Sequence, residues 1–515
     1  MEDMVRTRAR LEPSRLAVSV DGGPRWTYGD FESMANRLAH LFRREGLQRG
    51  DHIAVAMHND PAVFALAWAA WRSGLYFTPI PFSASADTAS CMVRDCKAKL
   101  VVIDARLEEF ASPLAASLPG EVRAFSWGGA LPGLACVELA IADLPSDPVP
   151  HESPGALMLY TSGTTGRPKG IWRPLLEMVE GPPPFAADLM RLFHLDGDSR
   201  VLSTAPLYHA SPLRTGLSTL AAGGELTVMA RFDAGRALEL LESLRPTHSQ
   251  WVPTMFRRLV ALPEAQRVAF RLPDGHIAVH AAAPCPVDLK LRMIRWWGPV
   301  LLEYYGGTES VGVCTIDSHE WMAHMGSVGQ AKSGVVEILD DAGNRLPAGE
   351  VGRIYFRGAR PFEYFGDPEK TRRCRGPEGQ FTIGDIGYLD GEGYLYLTDR
   401  ADDMIISGGV NIYPQELEAV LCAIEGVADC AVVGVPHDDF GEQAVACVVL
   451  DPGVADQAGL LSRIKEEALR RLGRVKRPRE YVVVPTIERT LLGKLERRKL
   501  GTRVRELLAP NAPMS

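Results

Sequence analysis

The sequence predicts an α/β protein with a large N-terminal domain of parallel-type sheets flanked by helices plus a small β-barrel, followed by a small α+β C-terminal domain. Length is the first reason, because 515 residues are too many for one ordinary hydrophobic core. Strand and helix patterns alternate through the first half of the chain, whereas short strands between Gly-rich turns fill residues 334–398. Beyond residue 403 lies a shorter mixed pattern of about a hundred residues, the usual size of one domain.

The first half of the chain alternates between runs typical of buried strands and runs with helical spacing. The predicted strands are 51–57, 99–103, 200–203 and 226–229, and the predicted helices are 31–44, 61–74 and 213–222. Strands that alternate with helices form parallel sheets covered on both faces. We therefore expect parallel sheets in the N-terminal domain.

The second half of the chain predicts two further units. Short strands at 335–339, 352–356 and 394–397 indicate a small antiparallel barrel or sheet. The C-terminal pattern is helix 414–424, strands 427–435 and 444–450, helix 460–472 and strand 481–484. We place the N-terminal domain at 1–398 and the C-terminal domain at 403–515, with the charged stretch 399–402 between them.

Composition indicates a soluble enzyme-sized protein of the reducing cytosol. Hydrophobic residues make up 46% and charged residues 23%, and the net charge of −8 argues against a nucleic-acid binder. Nine cysteines occur without a Cys-x-x-Cys pair, which disfavours a disulfide framework or a zinc site. No run of 18 apolar residues predicts a membrane span, and the first residues do not form a signal peptide. We expect a cytoplasmic protein and leave its oligomeric state open, a homodimer included.

The most informative segment is 160–170, which reads Tyr-Thr-Ser-Gly-Thr-Thr-Gly-Arg-Pro-Lys-Gly. Its glycines allow close backbone approach, and its N–H groups, four hydroxyls and Lys169 suit a polyphosphate. The spacing differs from that of the Walker loop, because no Ser or Thr follows Lys169. A flexible linker is the alternative, but a linker needs neither the preceding apolar run 156–159 nor Pro168-Lys169-Gly170.

This loop matches the signature of the adenylate-forming superfamily, which includes acyl-CoA ligases, peptide-synthetase adenylation domains and luciferase. The chain most resembles a bacterial AMP-forming acyl-CoA synthetase. The resemblance implies an enzyme that uses ATP, Mg²⁺ and coenzyme A, with a mobile C-terminal domain that turns about a hinge within 399–402, at Asp402.

The resemblance also implies the nucleotide site. The residues expected to contact ATP or AMP are Thr161, Ser162, Gly163, Thr164, Thr165, Lys169, Ala282, Ala283, Pro284, Glu303, Tyr304, Tyr305, Gly306, Thr308, Asp385, Arg400 and Lys494. Catalytic roles fall on Lys494, Glu309, Thr161 and Lys169, with Glu309 as the metal ligand. A single carboxylate is sensible there, since Mg²⁺ is commonly held by one or two carboxylates plus phosphate oxygens. Lys494 would neutralise charge at the α-phosphate, although Glu488 stands where the family usually has Pro.

Two further groups are implied for the acyl acceptor and the acid. Coenzyme A is expected at Gly408, Gly409, Phe440, Arg474 and Lys476. The acid pocket is expected at Tyr208, His209, Gln250, Trp251 and Gly306. Because 208–211 contains no Asp to hold an ammonium group, we expect a bulky apolar acid (medium- or long-chain, aromatic or cyclic) rather than an amino acid.

The function expected from these motifs is an AMP-forming carboxylic acid–CoA ligase. One alternative is an adenylating enzyme that passes the acyl group to an amine or to a carrier protein, since such relatives share the core motifs. A non-catalytic binding protein is the least favoured alternative, because Lys169, Glu309, Asp385, Arg400 and Lys494 are all present. The motifs do not choose the acid.

Overall fold

The computed structural model of the chain describes residues 3–161, 168–358, 360–401, 403–408, 410–490 and 495–508. Its helices are α1 Met4–Leu11, α2 Tyr28–Arg44, α3 Pro61–Arg72, α4 Ala86–Asp95, α5 Glu108–Ser117, α6 Val137–Ala140, α7 Pro184–Leu192, α8 Ala210–Ala222, α9 Ala234–Leu244, α10 Pro253–Val260, α11 Glu264–Ala269, α12 Val287–Trp297, α13 Ser318–Ala323, α14 Pro368–Arg373, α15 Pro414–Cys422, α16 Gln457–Lys476 and α17 Arg497–Leu508. Within these ranges, no helix is long and apolar enough to cross a membrane.

Two large sheets form most of the N-terminal domain. One runs in spatial order Gln330–Ser333, Val313–Asp317, Leu301–Tyr305, Ile277–His280, His248–Trp251, Arg200–Ser203, Glu225–Val228, Leu16–Val20 and Arg25–Thr27. The other runs Ala135–Cys136, Arg123–Trp127, Ala98–Asp104, His52–Ala56, Tyr76–Pro79 and Ala156–Leu157. The second sheet is parallel throughout, and the first is parallel between 16–20 and 301–305. The predicted parallel sheets are therefore confirmed.

The core lies between these two sheets, with α2, α3 and α8 packed in it. Every residue of α3 is buried, as expected for a helix that is apolar on all sides. Where α8 crosses α3, a Cβ on Gly216 would lie 2.4 Å from the Phe64 ring, so only glycine allows this close approach.

Two antiparallel sheets complete the N-terminal domain. One has the order Val335–Leu339, Gly352–Arg357, Asp385–Leu389 and Leu395–Arg400, and the other Glu363–Tyr364, Lys169–Trp172 and Leu159–Thr161. Both contribute to one apolar cluster, in which Ile171 and Tyr364 meet Ile354 and Phe356. The region predicted as a small barrel is thus two sheets around a shared core.

The C-terminal domain is α+β, as predicted. Its strands have the order Val410–Ile412, Ile405–Ser407, Gly441–Leu450 and Val427–His437, and Glu480–Val483 pairs in parallel with 441–450. Helix α16 is longer than the predicted 460–472, because Asp456 accepts a hydrogen bond from the Gly459 N–H and starts the helix earlier. The same reason applies to α2, which begins before residue 31 at a capping box between Thr27 and Asp30.

Two contacts join the domains close to the predicted boundary. The Asp399 carboxylate accepts a hydrogen bond from the Gln415 N–H, in the first turn of α15, at 2.9 Å. Burial raises the pKa of Asp399 to about 6. In the second contact, Arg257 of α10 lies 3.3 Å from the Asp429 carboxylate and donates to the Ala428 carbonyl.

Candidate active site

The segments that the motifs indicated meet where parallel strands end. Strands 248–251, 277–280 and 301–305 are neighbours in one sheet, and they run in the same direction. The loops that follow their carboxyl ends therefore lie at one edge, which is where ligands bind in open α/β sheets. These loops carry the predicted adenine, acid and metal residues.

The phosphate loop is anchored at both of its ends. Thr161 and Lys169 are paired across two antiparallel strands. The Lys169 ammonium donates to the Asp367 carboxylate at 2.8 Å, and this contact lowers the pKa of Asp367. Ser162, Gly163, Thr164 and Thr165 lie outside the described residues. The structure thus holds the Lys169 ammonium beside the loop, paired with a carboxylate that is about a quarter exposed.

Glu309 has the environment of a metal ligand that is held in place. Its side chain is buried, and one carboxylate oxygen accepts a hydrogen bond from the Tyr364 hydroxyl at 2.7 Å. Among the described residues, the second carboxylate oxygen has no hydrogen-bond partner. In the described part of the chain, no cluster of three or more His, Cys, Asp or Glu forms a metal site by itself. One carboxylate supplemented by phosphate oxygens and water fits Mg²⁺.

The predicted adenine and ribose residues form one hydrogen-bonded cluster. The Tyr305 hydroxyl donates to Asp385 at 2.6 Å, and the Arg400 guanidinium donates to the other oxygen of the same carboxylate at 3.1 Å. Burial raises the pKa of Tyr305 well above its usual value, and the Asp385 charge adds to this effect. Tyr305 therefore stays a neutral donor, and it fixes the carboxylate expected to grip the ribose.

A small cleft of about 10 Å³ contains two of the residues expected in the acid pocket, Gln250 and Trp251. Its walls are Ala205, Ser211, Pro212, Gln250, Trp251, Val252, Ala281 and Ala282. The Ser211 hydroxyl bridges Gln250 and the Tyr304 hydroxyl. Ala282 has a φ of +76°, a conformation that L-residues rarely adopt, and such backbone strain concentrates at functional sites. Ala282, one of the residues expected to contact the nucleotide, thus lines the same cleft as Gln250 and Trp251.

The aromatic residues expected in the pocket differ in their accessibility. The indole of Trp251 lies in the core, where it packs on Trp297 and donates to Ser249. Tyr208 donates to Ser83, away from the cleft walls. His209 has a buried Nε2 without a hydrogen-bond partner in the described residues, and burial lowers its pKa to about 4. His209 is accordingly neutral at physiological pH.

Glu303 has a different environment from the one its predicted nucleotide role suggested. Its carboxylate accepts a hydrogen bond from the buried Lys290 ammonium at 2.5 Å, and this ammonium also lies 4.6 Å from the centre of the Trp321 ring. The Glu303 carboxylate is thus bonded to a buried residue inside the protein. Any contact from this position to a nucleotide would come from the main chain.

The remaining nucleotide residues are small or part-exposed. A Cβ on Gly306 would lie 3.0 Å from the Gly312 carbonyl, so the chain needs a very small residue here. Thr308 is partly exposed on the loop before Glu309, and Ala283 and Pro284 follow the strained Ala282. These positions present backbone and one hydroxyl to the cleft edge.

Some of the residues expected to bind coenzyme A come together in the C-terminal domain. The Phe440 ring packs beside Gly408, where a Cβ would lie 3.2 Å away, and it also stacks on the Arg479 guanidinium at 3.8 Å. Lys476 instead forms an ion pair with Glu416 at 2.9 Å. Gly409 lies outside the described residues, as does the Arg474 side chain.

The predicted catalytic lysine and hinge, Lys494 and Asp402, also lie outside the described residues. The segment before the lysine is nevertheless placed, because Arg489 donates to Asp429 at 3.0 Å. Since Asp429 also contacts Arg257, this segment enters beside the N-terminal domain.

Several residues of the site were not found from the sequence. Asp367 and Tyr364 orient predicted residues from a distant antiparallel sheet, and no motif marks them. Arg173 and Arg214 surround the backbone of 309–310: Arg173 donates to the Glu309 carbonyl, and Arg214 donates to the Ser310 hydroxyl at 2.9 Å. The only signal for Arg173 was its position just after the phosphate loop.

Comparisons with known proteins agree with this geometry. A sequence model described as AMP-binding enzyme matches residues 5–363, and one for the AMP-binding enzyme C-terminal domain matches 416–494. A feruloyl-CoA synthase from Amycolatopsis sp is 33% identical over 456 residues, covering 86% of this chain and 87% of the relative. A long-chain-fatty-acid–CoA ligase from Mycobacterium tuberculosis is 31% identical over 516 residues, or 99% of each chain. The structure of the amide bond synthetase McbA from Marinactinospora thermotolerans aligns with a TM-score of 0.81 at 25% identity, over 97% of this chain and 99% of that one.

Because the first match spans more than half of the chain, the chain belongs to the AMP-binding enzyme family, the adenylate-forming superfamily that the motifs indicated. It is a ligase of the AMP-forming acyl-CoA synthetase type. Enzymes of this class use ATP and coenzyme A.

The buried Lys290–Glu303 pair generates a stability prediction. Lys290→Met leaves a buried carboxylate without its partner, which typically costs about 3–5 kcal/mol. We expect a clear fall in the melting temperature of the N-terminal domain, measured by calorimetry. The double variant Lys290→Met/Glu303→Leu removes both charges and should recover much of the loss. Equal melting temperatures for the single variant and the wild type would contradict a structural role for this pair.

Proposed function

We propose that this enzyme activates a bulky, largely apolar carboxylic acid with Mg·ATP to an acyl-adenylate and transfers the acyl group to coenzyme A. The observation that carries the proposal is the Tyr305–Asp385–Arg400 cluster, which the strand 301–305 connects to the Ser211–Gln250 cleft through Tyr304. A nucleotide gripped by the first would present its α-phosphate to an acid held in the second. Such positioning is the main source of catalysis when the substrate itself supplies the nucleophile.

In the first half-reaction the acid carboxylate attacks the α-phosphorus, and pyrophosphate leaves. Lys169 and the phosphate loop would hold the leaving phosphates, and Glu309 would hold Mg²⁺, which supplies charge neutralisation on the phosphate oxygens. Lys494 would sit between the carboxylate and the α-phosphate. Neither the neutral His209 nor Tyr208 would add a charge to the acid side of the site.

In the second half-reaction the C-terminal domain would turn about Asp402 and present Gly408 and Gly409 to the adenylate. Gly408 has a φ of +58° and packs on Phe440, so this loop offers backbone and one aromatic face to a pantetheine arm. The thiolate then attacks the mixed anhydride and AMP leaves. Phe440 with Arg479 is the surface that supports coenzyme A as the acceptor.

An amine acceptor is the second candidate, because an amide bond synthetase has the same fold over nearly the whole chain. A pyrophosphate-release assay over acetate, octanoate, benzoate, a phenylpropanoid acid and a steroid side-chain acid, with and without coenzyme A, tests both steps. Acyl-CoA formation supports the proposal. If pyrophosphate is released but an acyl product forms only when an amine is added, the acceptor is an amine and not coenzyme A. A preference for acetate or an amino acid would overturn the bulky-acid assignment.

Lys494→Ala should lower adenylate formation by about 10²–10³-fold, the usual effect of removing one group that stabilises transition-state charge. Thioester formation from a supplied acyl-adenylate should survive, because the lysine is expected to leave the site in the second step. Lys499→Ala is a matched control, since this lysine of α17 is exposed and pairs with Glu496, the residue just before the helix. Parallel loss of both half-reactions in folded protein would refute this division of roles.

Glu309→Gln should raise the Mg²⁺ concentration needed for activity, since the amide keeps the shape but loses the charge. Tyr364→Phe, which removes the phenol that orients Glu309, should have a smaller effect of about 10–100-fold, as is typical of groups behind a metal ligand. The measurement is initial rate against Mg²⁺ at fixed ATP. Wild-type magnesium dependence in Glu309→Gln would remove Glu309 from the metal site.

A further inference from the structure

The Arg214 side chain lies on the side of the site where the acid is expected. It lies one turn after Ser211 on α8, so the two side chains share one face of the helix. Its guanidinium donates to the Ser310 hydroxyl at 2.9 Å and to the Phe185 carbonyl at 3.2 Å. Within the described residues, no carboxylate lies within 4.0 Å of this cation. A partly buried guanidinium whose described partners are all neutral keeps its charge for an anionic ligand.

The charges around Arg214 also favour an anionic ligand. Burial lowers the pKa of Arg214, while the Tyr304 hydroxyl and the more distant Asp188 act in the opposite direction. Burial, together with the charges of Arg214 and Arg360, lowers the pKa of Arg173 to about 10, although the charge of Glu309 acts in the opposite direction. Three guanidinium groups thus lie near one another on this side of the site, and Arg173 and Arg214, both partly buried, have no ion-pair partner among the described residues.

The position of Arg214 indicates that its ligand is the acid and not the phosphates of the nucleotide. The Glu309 carboxylate contacts Tyr364. Tyr364 lies on a short strand that pairs with the strand of Lys169, and Asp367 follows it in the chain. This is the side where the phosphates are expected. The next residue, Ser310, points to α8 instead. Ser310 has a φ of +48°, and this left-handed turn separates the two directions. Arg214 therefore belongs with Ser211, Tyr304 and Gln250, on the acid side.

We propose that Arg214 and Ser310 form a subsite for a second anionic oxygen group on the acid, such as a distal carboxylate. The proposal rests on the function proposed above and narrows its substrate class. The substrate would have an apolar body, its reacting carboxylate near Thr308, and a second oxygen group received by the guanidinium. Arg214 would then determine specificity without taking part in the chemical step.

Matched pairs of acids test the subsite: hexanoate with adipate, octanoate with suberate, and decanoate with sebacate. For at least one length, the wild type should prefer the dicarboxylate in kcat/KM for pyrophosphate release by about tenfold or more, the usual effect of a charged hydrogen bond. Arg214→Met should reverse the preference, because a second carboxylate then meets apolar surroundings. Arg214→Lys should retain part of it, since a lysine keeps the charge but loses the planar fork. Arg292→Met, at an exposed arginine on α12, should leave the ratio unchanged.

The outcomes separate the two proposals. Turnover of the monocarboxylates with no dicarboxylate preference at any length would overturn the subsite and leave the ligase function standing. A higher KM for ATP in Arg214→Met, in the same proportion for every acid, would assign Arg214 to the phosphates and also overturn it. Failure of every acid to release pyrophosphate would instead contradict the proposed function. If Arg214→Met does not fold, the wild-type ratios and those of Ser310→Ala still decide the question.

Discussion

The parallel ladder of strands 248–251, 277–280 and 301–305 is the constraint on which the site depends. Trp251, His280 and Glu303 lie side by side in register across it. A slip of one residue would turn every side chain to the opposite face, so the burial of Trp251 and the Lys290–Glu303 pair fixes the register. The three loops that leave this row can therefore form one cleft, although they are far apart in the sequence.

Much of the fold could be predicted from the sequence, because hydrophobic periodicity is a local property. Strand 200–203 was predicted with the bounds observed, and the predicted helices are present with ends moved by caps such as Thr27 and Asp456. The packing of the two antiparallel sheets around Phe356 could not be predicted, since it depends on contacts between residues nearly 200 positions apart. Periodicity describes one segment at a time and contains no pairing information.

The same limit explains which site residues could be predicted. Residues within motifs, such as Tyr305, Asp385 and Arg400, were predicted to share one site, and the structure brings them into contact. Tyr364 and Asp367, the partners of Glu309 and Lys169, were missed, because a single hydroxyl or carboxylate far away in the chain has no distinguishing neighbours in the sequence. Glu303 is a different case. Its motif predicted a contact with the nucleotide, whereas in the structure its carboxylate is bonded to Lys290.

Burial separates the ion pairs that maintain this site from those that can exchange partners during a reaction. Lys290 and Glu303 are both removed from water, so separating them leaves a buried charge at high cost and the pair is permanent. Lys169 and Asp367 are each about a quarter exposed, and pairs near water contribute little. Under the proposed function, a polyphosphate would therefore take Lys169 from Asp367 at small cost. Asp367 would hold the lysine extended until the nucleotide arrives, which keeps a cation at the phosphate loop without a long-lived competitor for the substrate.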